Sequence, residues 1–254
     1  PVSRCDRLIL AGDPCQLPPT VLSAEAARKG FSVSLPERLI KACGDAVVRQ
    51  LSDQYRMHEH IMTFSSREFY TDNLVAHPSV AKHQLADFPN VNATELTESS
   101  VWYIDTSGAG FNEETEADGG SRRNVEEAQV VVGKVKELLS LGVAPVAIGV
   151  ISPYSAQVQA LAEQLEGTGV EVATVDGFQG RENEVIVISL VRSNTEGEVG
   201  FLADTRRMNV AMTRARRLLI VVGDSATLCR HAFYDRMLGY FDEIGAYRTV
   251  WEEM

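Results

Sequence analysis

The chain has 254 residues, 44% hydrophobic and 23% charged, an ordinary globular composition with enough apolar material for a core. Lys plus Arg number 24 against 35 Asp plus Glu, a net charge of −11, so no global basic field draws in nucleic acid and any such binding must use a local groove. The cysteines (Cys5, Cys15, Cys43 and Cys229) form no CxxC pair and have no histidine at zinc spacing, and no apolar run approaches the roughly 18 residues of a membrane span.

Residues 8–11 are a short apolar run, expected to form a strand that ends in Gly12-Asp13. Pro14, Pro18 and Pro19 then force an irregular loop and place Gln16 just beyond the strand's carboxyl end. The opening carries no initiator methionine and no charged-then-apolar leader, and it reads as a fragment of a longer protein. Helices are expected at 23–30, closed by Gly30, and at 34–43, where Pro36 fits the first turn. Residues 46–51 read as a strand. Met57, Ile61 and Phe64 then recur at helical spacing, with Tyr55 and Arg56 in the linker just before them. Residues 70–101 are aperiodic, with Pro78, Pro89 and many Asn, Ser and Thr, and are expected to be loops with short elements. A strand follows at 102–105, and the acidic run 106–121, with Glu113, Glu114, Glu116 and Asp118, is expected to be a partly disordered surface loop.

Regular alternation comes next. Ala128, Val131, Val132, Val135, Leu138 and Leu139 mark a helix ended by Gly142, and 146–151 is a strand leading into Pro153 and Tyr154. Val158, Leu161, Ala162 and Leu165 form a second helical stripe, ended by Gly167 and Gly169. Strands are expected at 170–175, 185–190 and 218–222, and a terminal helix over 231–243. Apolar strands alternating with amphipathic helices specify an α/β fold, a parallel sheet with helices on both faces. Such sheets present ligand-binding groups at the carboxyl ends of their strands.

Two stretches carry most of the chemistry. VATVDGFQGRENEVIVISL joins two strands by a polar turn, and DTRRMNVAMTRARRLLIVVGD runs an arginine-studded segment into a buried strand. Five arginines between Arg206 and Arg217, with no intervening acid, suit a phosphate-like target. If 205–217 is one helix, at about 100° per residue Arg207, Ala211 and Arg214 share roughly a sixth of its circumference and Arg216 faces nearly the opposite way. Arg216 and Arg217 then support the helix C-terminus or make ion pairs. In QYRMH, Tyr55 is suited to stack on a base and Arg56 to meet a phosphate; equally, Tyr55 is a half-buried core ring and Arg56 half of a surface ion pair. Gln16 is by itself as compatible with a loop residue bonded to its own backbone. No GxxxxGK[ST] occurs, nor a clear acidic metal-holding pair ahead of Gly12-Asp13, so the chain alone should not hydrolyse a nucleotide efficiently.

Taken in order, LILAGDPCQLPP, QYRMH, ISPYSAQV, VATVDGFQGRE and RRMNVAMTRARR resemble the motifs of superfamily 1 RNA/DNA helicases of the up-frameshift type. VRSNTEGEVGFLAD and GDSATLCRHAFYDRML are most similar to the immunoglobulin-mu-binding-protein-2-like branch. The resemblance covers essentially the whole chain and implies two RecA-like domains, with residues 1–52 the tail of the first and 53–254 the second. It implies ATP in the interdomain cleft and single-stranded RNA or DNA across the top. Gln16 becomes a γ-phosphate sensor, Tyr55 the adenine shelf, Arg56 a γ-phosphate contact and Arg214 the arginine finger. Gly180 and Glu182 would meet phosphate and ribose. Pro153, Tyr154, Thr174 and Val175 would lie near the bound strand. Mg²⁺ would be held mainly by the first domain, whose P-loop and DExx strand are not in this sequence. The resemblance thus implies the C-terminal half of a 5′-to-3′ helicase, a monomeric motor without membrane contact in cytoplasm or nucleus. The alternatives are a non-catalytic nucleic-acid-binding module and a helicase–nuclease fusion.

Overall fold

Local capping signals decide the first short elements. A computed structural model describes residues 6–116 and 119–253; Cys5 and Asp118 lie outside them. The chain divides at Leu51/Ser52 into two units. In the first, α1 (Ala24–Ala26) is capped by Ser23 and runs into a wide turn broken by Gly30 at φ 87°. Helix α2 (Leu35–Cys43) carries a capping box: Ser34 Oγ accepts from Glu37 N at 3.3 Å and Glu37 Oε2 from Ser34 N at 2.7 Å. Neither 8–11 nor 46–51 is a strand, contrary to expectation; a 3₁₀ turn occupies Asp45–Val47. A strand requires a ladder partner, and the described residues of this unit contain none. No described residue in it is buried, and Ile9, Leu22 and Leu51 are 94%, 98% and 85% exposed.

The second unit begins with β1 (Asp53–Gln54), α3 (Glu59–Phe69) and β2 (Val75–Ala76), and β1 and β2 pair in parallel. After α4 (Glu95–Glu98) comes β3 (Val101–Asp105). The acidic segment then forms a hairpin of β4 (Glu114–Thr115) and β5 (Arg122–Arg123). Helix α5 (Val125–Ser140), β6 (Ile148–Ser152), α6 (Ser155–Gln164), β7 (Glu171–Thr174) and β8 (Asn183–Ser189) alternate as the pattern predicts. Helix α7 (Thr205–Met212), β9 (Ala215–Gly223), α8 (Ser225–Leu228), α9 (Ala232–Glu243) and β10 (Tyr247–Thr249) complete the unit.

Six strands form one all-parallel sheet in the order β10-β3-β9-β8-β6-β7. Successive side chains point to opposite faces. Leu218, Ile220 and Val222 join Val185 and Val187 against Val131, Val135 and Leu138 of α5 and Leu161 of α6. Helices α3, α7 and α9 lie against the sheet as well, through β8, β9 and β3. Each such side chain, fully buried, contributes about 1.5–3 kcal/mol. No helix among the described residues is long and apolar enough to cross a membrane.

Two further expectations change. The α6 stripe is Ala156, Gln157 and Leu161 rather than Val158 and Ala162, because Gln157 turns inward to bond Ser189 and Asn124. The segment 205–217 is not one helix: α7 stops at Met212 and β9 starts at Ala215. The ladder of the following apolar run against β8 and β3 outcompetes helix propagation, and Arg214 Nε donates to the Val210 carbonyl at 3.0 Å, satisfying a helix-end acceptor.

Candidate functional site

The QYRM turn is shaped by Gln54. Its Oε1 accepts from Arg56 N and Met57 N, both at 2.8 Å, and its Nε2 donates to the Met57 carbonyl at 2.8 Å. The turn is tied to the start of β9, where the Arg216 carbonyl accepts from His58 N at 2.8 Å and from His83 Nε2 at 2.7 Å. His58 is buried and caps α3 by accepting from His60 N through Nδ1. Burial, reinforced by repulsion from His60 and His83, lowers its pKa to about 4, which keeps that nitrogen free to accept. Tyr55 is left 61% exposed, its ring stacked on His77.

Arg56 Nε pairs with Glu182 Oε2, and its Nη1 donates to the Thr213 carbonyl at 3.1 Å. Glu182 Oε1 accepts from Arg216 Nη1 at 3.2 Å, so this carboxylate bridges two guanidiniums. Arg216 Nε and Arg217 Nε both approach Glu184, at 3.3 and 2.9 Å. Arg214 is buried, and besides Val210 it donates to the Arg181 carbonyl at 3.2 Å and to Thr213 Oγ1 at 3.3 Å. Its carbonyl accepts from Asn183 N at 3.1 Å, which locks the finger candidate to the FQGRE turn. Gly180 turns there at φ 83°. Phe178 anchors the turn beneath: a Cβ on Gly149 of β6 would lie 2.4 Å from its ring, so only glycine fits.

Arg56, Glu182, Arg214 and Arg216 therefore converge at the amino ends of β8 and β9, not at the carboxyl ends that the sheet type suggested. Arg216 lies in β9 beside Glu182, not on a helix face opposite Arg207. Arg216 forms ion pairs, one of the two roles expected of it, whereas its partner Glu184 and the ring partner of Tyr55, His77, were missed. The alternating acids of Glu182-Asn-Glu184 opposite the basic start of β9 were a usable signal; His77 had none.

Pro153, Tyr154 and Thr174 lie at or just beyond the carboxyl ends of β6 and β7, with Val175 next to Thr174. Tyr154 and Val175 are both 3% exposed, so their side chains are packed rather than offered. Tyr154 Oη accepts from Arg192 Nη1 at 3.4 Å, and its ring lies against Phe201. Arg192 is 1% exposed and its Nε donates to Glu113 Oε2 at 2.7 Å. The acidic segment is thus anchored through Glu113 rather than left as a free loop. Nearby, buried Glu127 accepts from Ser189 Oγ at 2.5 Å and Val191 N at 2.9 Å, and burial pushes its carboxyl up to about 7. In the first unit, Gln16 Nε2 donates to Asp13 Oδ2 at 3.0 Å. Among the described residues no three or more His, Cys, Asp or Glu are grouped to hold a metal ion.

Residues 31–226, more than half of the chain, match a family described as "AAA domain". The chain is 47% identical over 254 residues to "DNA-binding protein SMUBP-2" of Rattus norvegicus, covering 99% of this chain and 26% of that protein. It is 42% identical to "DNA polymerase alpha-associated DNA helicase A" of Schizosaccharomyces pombe, over 96% of this chain and 37% of the relative. It is 37% identical to a "Regulator of nonsense transcripts 1 homolog" of Neurospora crassa, over 94% of this chain and 22% of the relative. The chain therefore spans between 22% and 37% of the length of these curated relatives.

Proposed function

Because the chain belongs to the up-frameshift-type family of superfamily 1 helicases, with a RecA-like α/β fold, we propose that it is the C-terminal motor half of an ATP-dependent 5′-to-3′ helicase. One observation carries this reading: Glu182 bridges the guanidiniums of Arg56 and Arg216 at the amino ends of β8 and β9, while Arg214 donates to the carbonyl of the adjacent Arg181 and exposed Tyr55 directly precedes Arg56. The residues fit a nucleoside triphosphate. Tyr55 would receive adenine, Glu182 and Gly180 the ribose and phosphates, and Arg56 and Arg214 the γ-phosphate, with Gln16 sensing it. The Arg56–Glu182 pair is about one-third exposed on both sides. Exposed pairs are worth only about 0–1 kcal/mol, so a triphosphate would compete with Glu182 for Arg56 at little cost. Mg²⁺ would be held mainly by the first RecA-like domain.

The domain organisation belongs to the same proposal. Residues 1–52 are the tail of the first RecA-like domain and 53–254 the second; the uncovered apolar residues of the first unit suit a piece whose core is completed by further chain. A single strand of RNA or DNA would follow the opposite, carboxyl end of the sheet, past Pro153, Tyr154, Thr174 and Val175. With Tyr154 and Val175 packed away, contact there would use backbone groups, which position a strand without reading its sequence. Arg56 and Arg214 would neutralise the charge that develops during phosphoryl transfer. Loss of the γ-phosphate would remove their attraction and let the domains step along the strand. We place this motor inside the cell, in cytoplasm or nucleus, acting as a monomer.

In the full-length protein, Arg214→Ala is expected to cut strand-stimulated ATPase turnover by about 10³-fold or more while nucleotide binding survives. Equal turnover in variant and wild type would remove Arg214 as the finger. A non-catalytic strand-binding module is the second reading, favoured by the inward bonds of buried Arg214, which donates to the Val210 and Arg181 carbonyls and to Thr213 Oγ1. A full-length protein that binds strand and never turns over ATP would establish it.

A further inference from the structure

We propose that His77 is a positioning residue for the nucleobase: it holds Tyr55 from behind, so that the outer face of the tyrosine ring is presented to a purine. The inference rests on the assignment of Tyr55 to the nucleotide site and adds a residue that no motif contains.

The geometry begins with the short parallel pairing of β1 and β2. Asp53 lies opposite Val75 and Gln54 opposite Ala76, so Tyr55 and His77 are the next residues along the two segments. His77 N donates to the Gln54 carbonyl at 3.0 Å, carrying the ladder to that point. The two rings stack with centroids 4.3 Å apart and planes 28° from parallel. That spacing leaves no room for a base between them, so a base can reach only the other side of Tyr55, which is 61% exposed. His77 is itself held. Its Nδ1 lies 2.8 Å from Ser79 Oγ and accepts from Ser79 N at 3.3 Å, which fixes the imidazole plane.

An exposed tyrosine just beyond a two-residue strand would otherwise lose rotamer freedom each time it stacked on a ligand. A ring already stacked on an immobilised partner has lost most of that freedom before the base arrives, and this preorganisation appears as affinity. Aromatic stacking geometry adds a preference for a flat ligand on the open face. The contribution should therefore depend on the base and be absent for the phosphates alone.

The test measures dissociation constants of the full-length protein for ATP and for inorganic tripolyphosphate. His77→Ala is expected to weaken ATP binding about 2- to 10-fold and leave tripolyphosphate unchanged, and His77→Phe to restore ATP binding. Wild-type ATP affinity in His77→Ala overturns the inference, as does an equal loss for ATP and tripolyphosphate, or a failure of His77→Phe to rescue. Tyr55→Ala separates the layers. If it leaves ATP affinity unchanged, the adenine shelf itself is wrong; if it weakens ATP while His77→Ala does not, only the role of His77 falls.

Discussion

Glu127 occupies the third position of α5, where a glutamate ordinarily faces solvent near the helix N-terminus; here it is fully buried against Ser189 and the Val191 amide. One carboxylate oxygen takes both hydrogen bonds, and the other is buried without a hydrogen-bond partner. Burial disfavours the charged form and lifts the pKa from 4.5 to about 7. Between those values the folded state holds a proton that the unfolded state lacks. This group's stabilisation is therefore fully present below the unfolded value and is lost as pH rises through 7. His58 has the opposite sign: its folded pKa is lowered from 6.5 to about 4, so its contribution is present above 6.5 and lost as pH falls through 4. Glu127→Gln isolates the first effect. Thermal unfolding should show the variant more stable than wild type at about pH 9 and no more stable at about pH 5; the same difference at both values would exclude Glu127 as the titrating group. Glu127 was legible only as a helix-start residue, because its burial depends on β8, more than fifty residues away.

The acidic segment and the arginine helix show what an element inherits from its neighbours. Read alone, 106–121 is polar, Gly-containing and aperiodic. In place, Glu113 Oε2 accepts from Arg192 Nε, Ser193 N at 3.0 Å and Asn194 Nδ2 at 3.3 Å, and Oε1 accepts from Arg122 Nη1 at 2.6 Å. The arginine is seated beneath Gly200, where a Cβ would fall 2.0 Å from its Nη1 and φ is 54°. Removing one partner of a buried pair strands the other charge, at a cost of about 3–5 kcal/mol. Denaturant unfolding of Glu113→Ala should show a loss of that order. Adding Arg192→Met should recover most of it, since an apolar side chain there leaves no uncompensated charge. Additive losses would mean that the two residues do not act as a pair. Helices α3 and α5 were legible because burial of one face imposes a helical period, and β3, β6, β7, β8 and β9 because burial within the sheet imposes apolar runs; β10, whose Tyr247, Arg248 and Thr249 are only half-buried, was not. Residues 213–217 were not, because helix and strand are both locally acceptable there and the ladder with β8 and β3 decides.

At the scale of the molecule, the net charge of −11 argues for local rather than global recognition of any polyanion. Incubated alone with ATP, Mg²⁺ and single strand, residues 1–254 are expected to give no turnover above background. Robust turnover would show that the chain needs no phosphate cradle from elsewhere. By itself the sequence determined the alternation of strands and helices, the α/β class, the family and the residue types of the site, because periodicity and motif order are written in consecutive positions. The tertiary structure decided which of those residues meet. Arg56 reaches Glu182 across 126 positions and Arg192 reaches Glu113 across 79. Tyr55 finds His77 only through a two-residue pairing too short to leave a pattern. Contacts of that kind depend on strand order and register, which no local run of residues specifies.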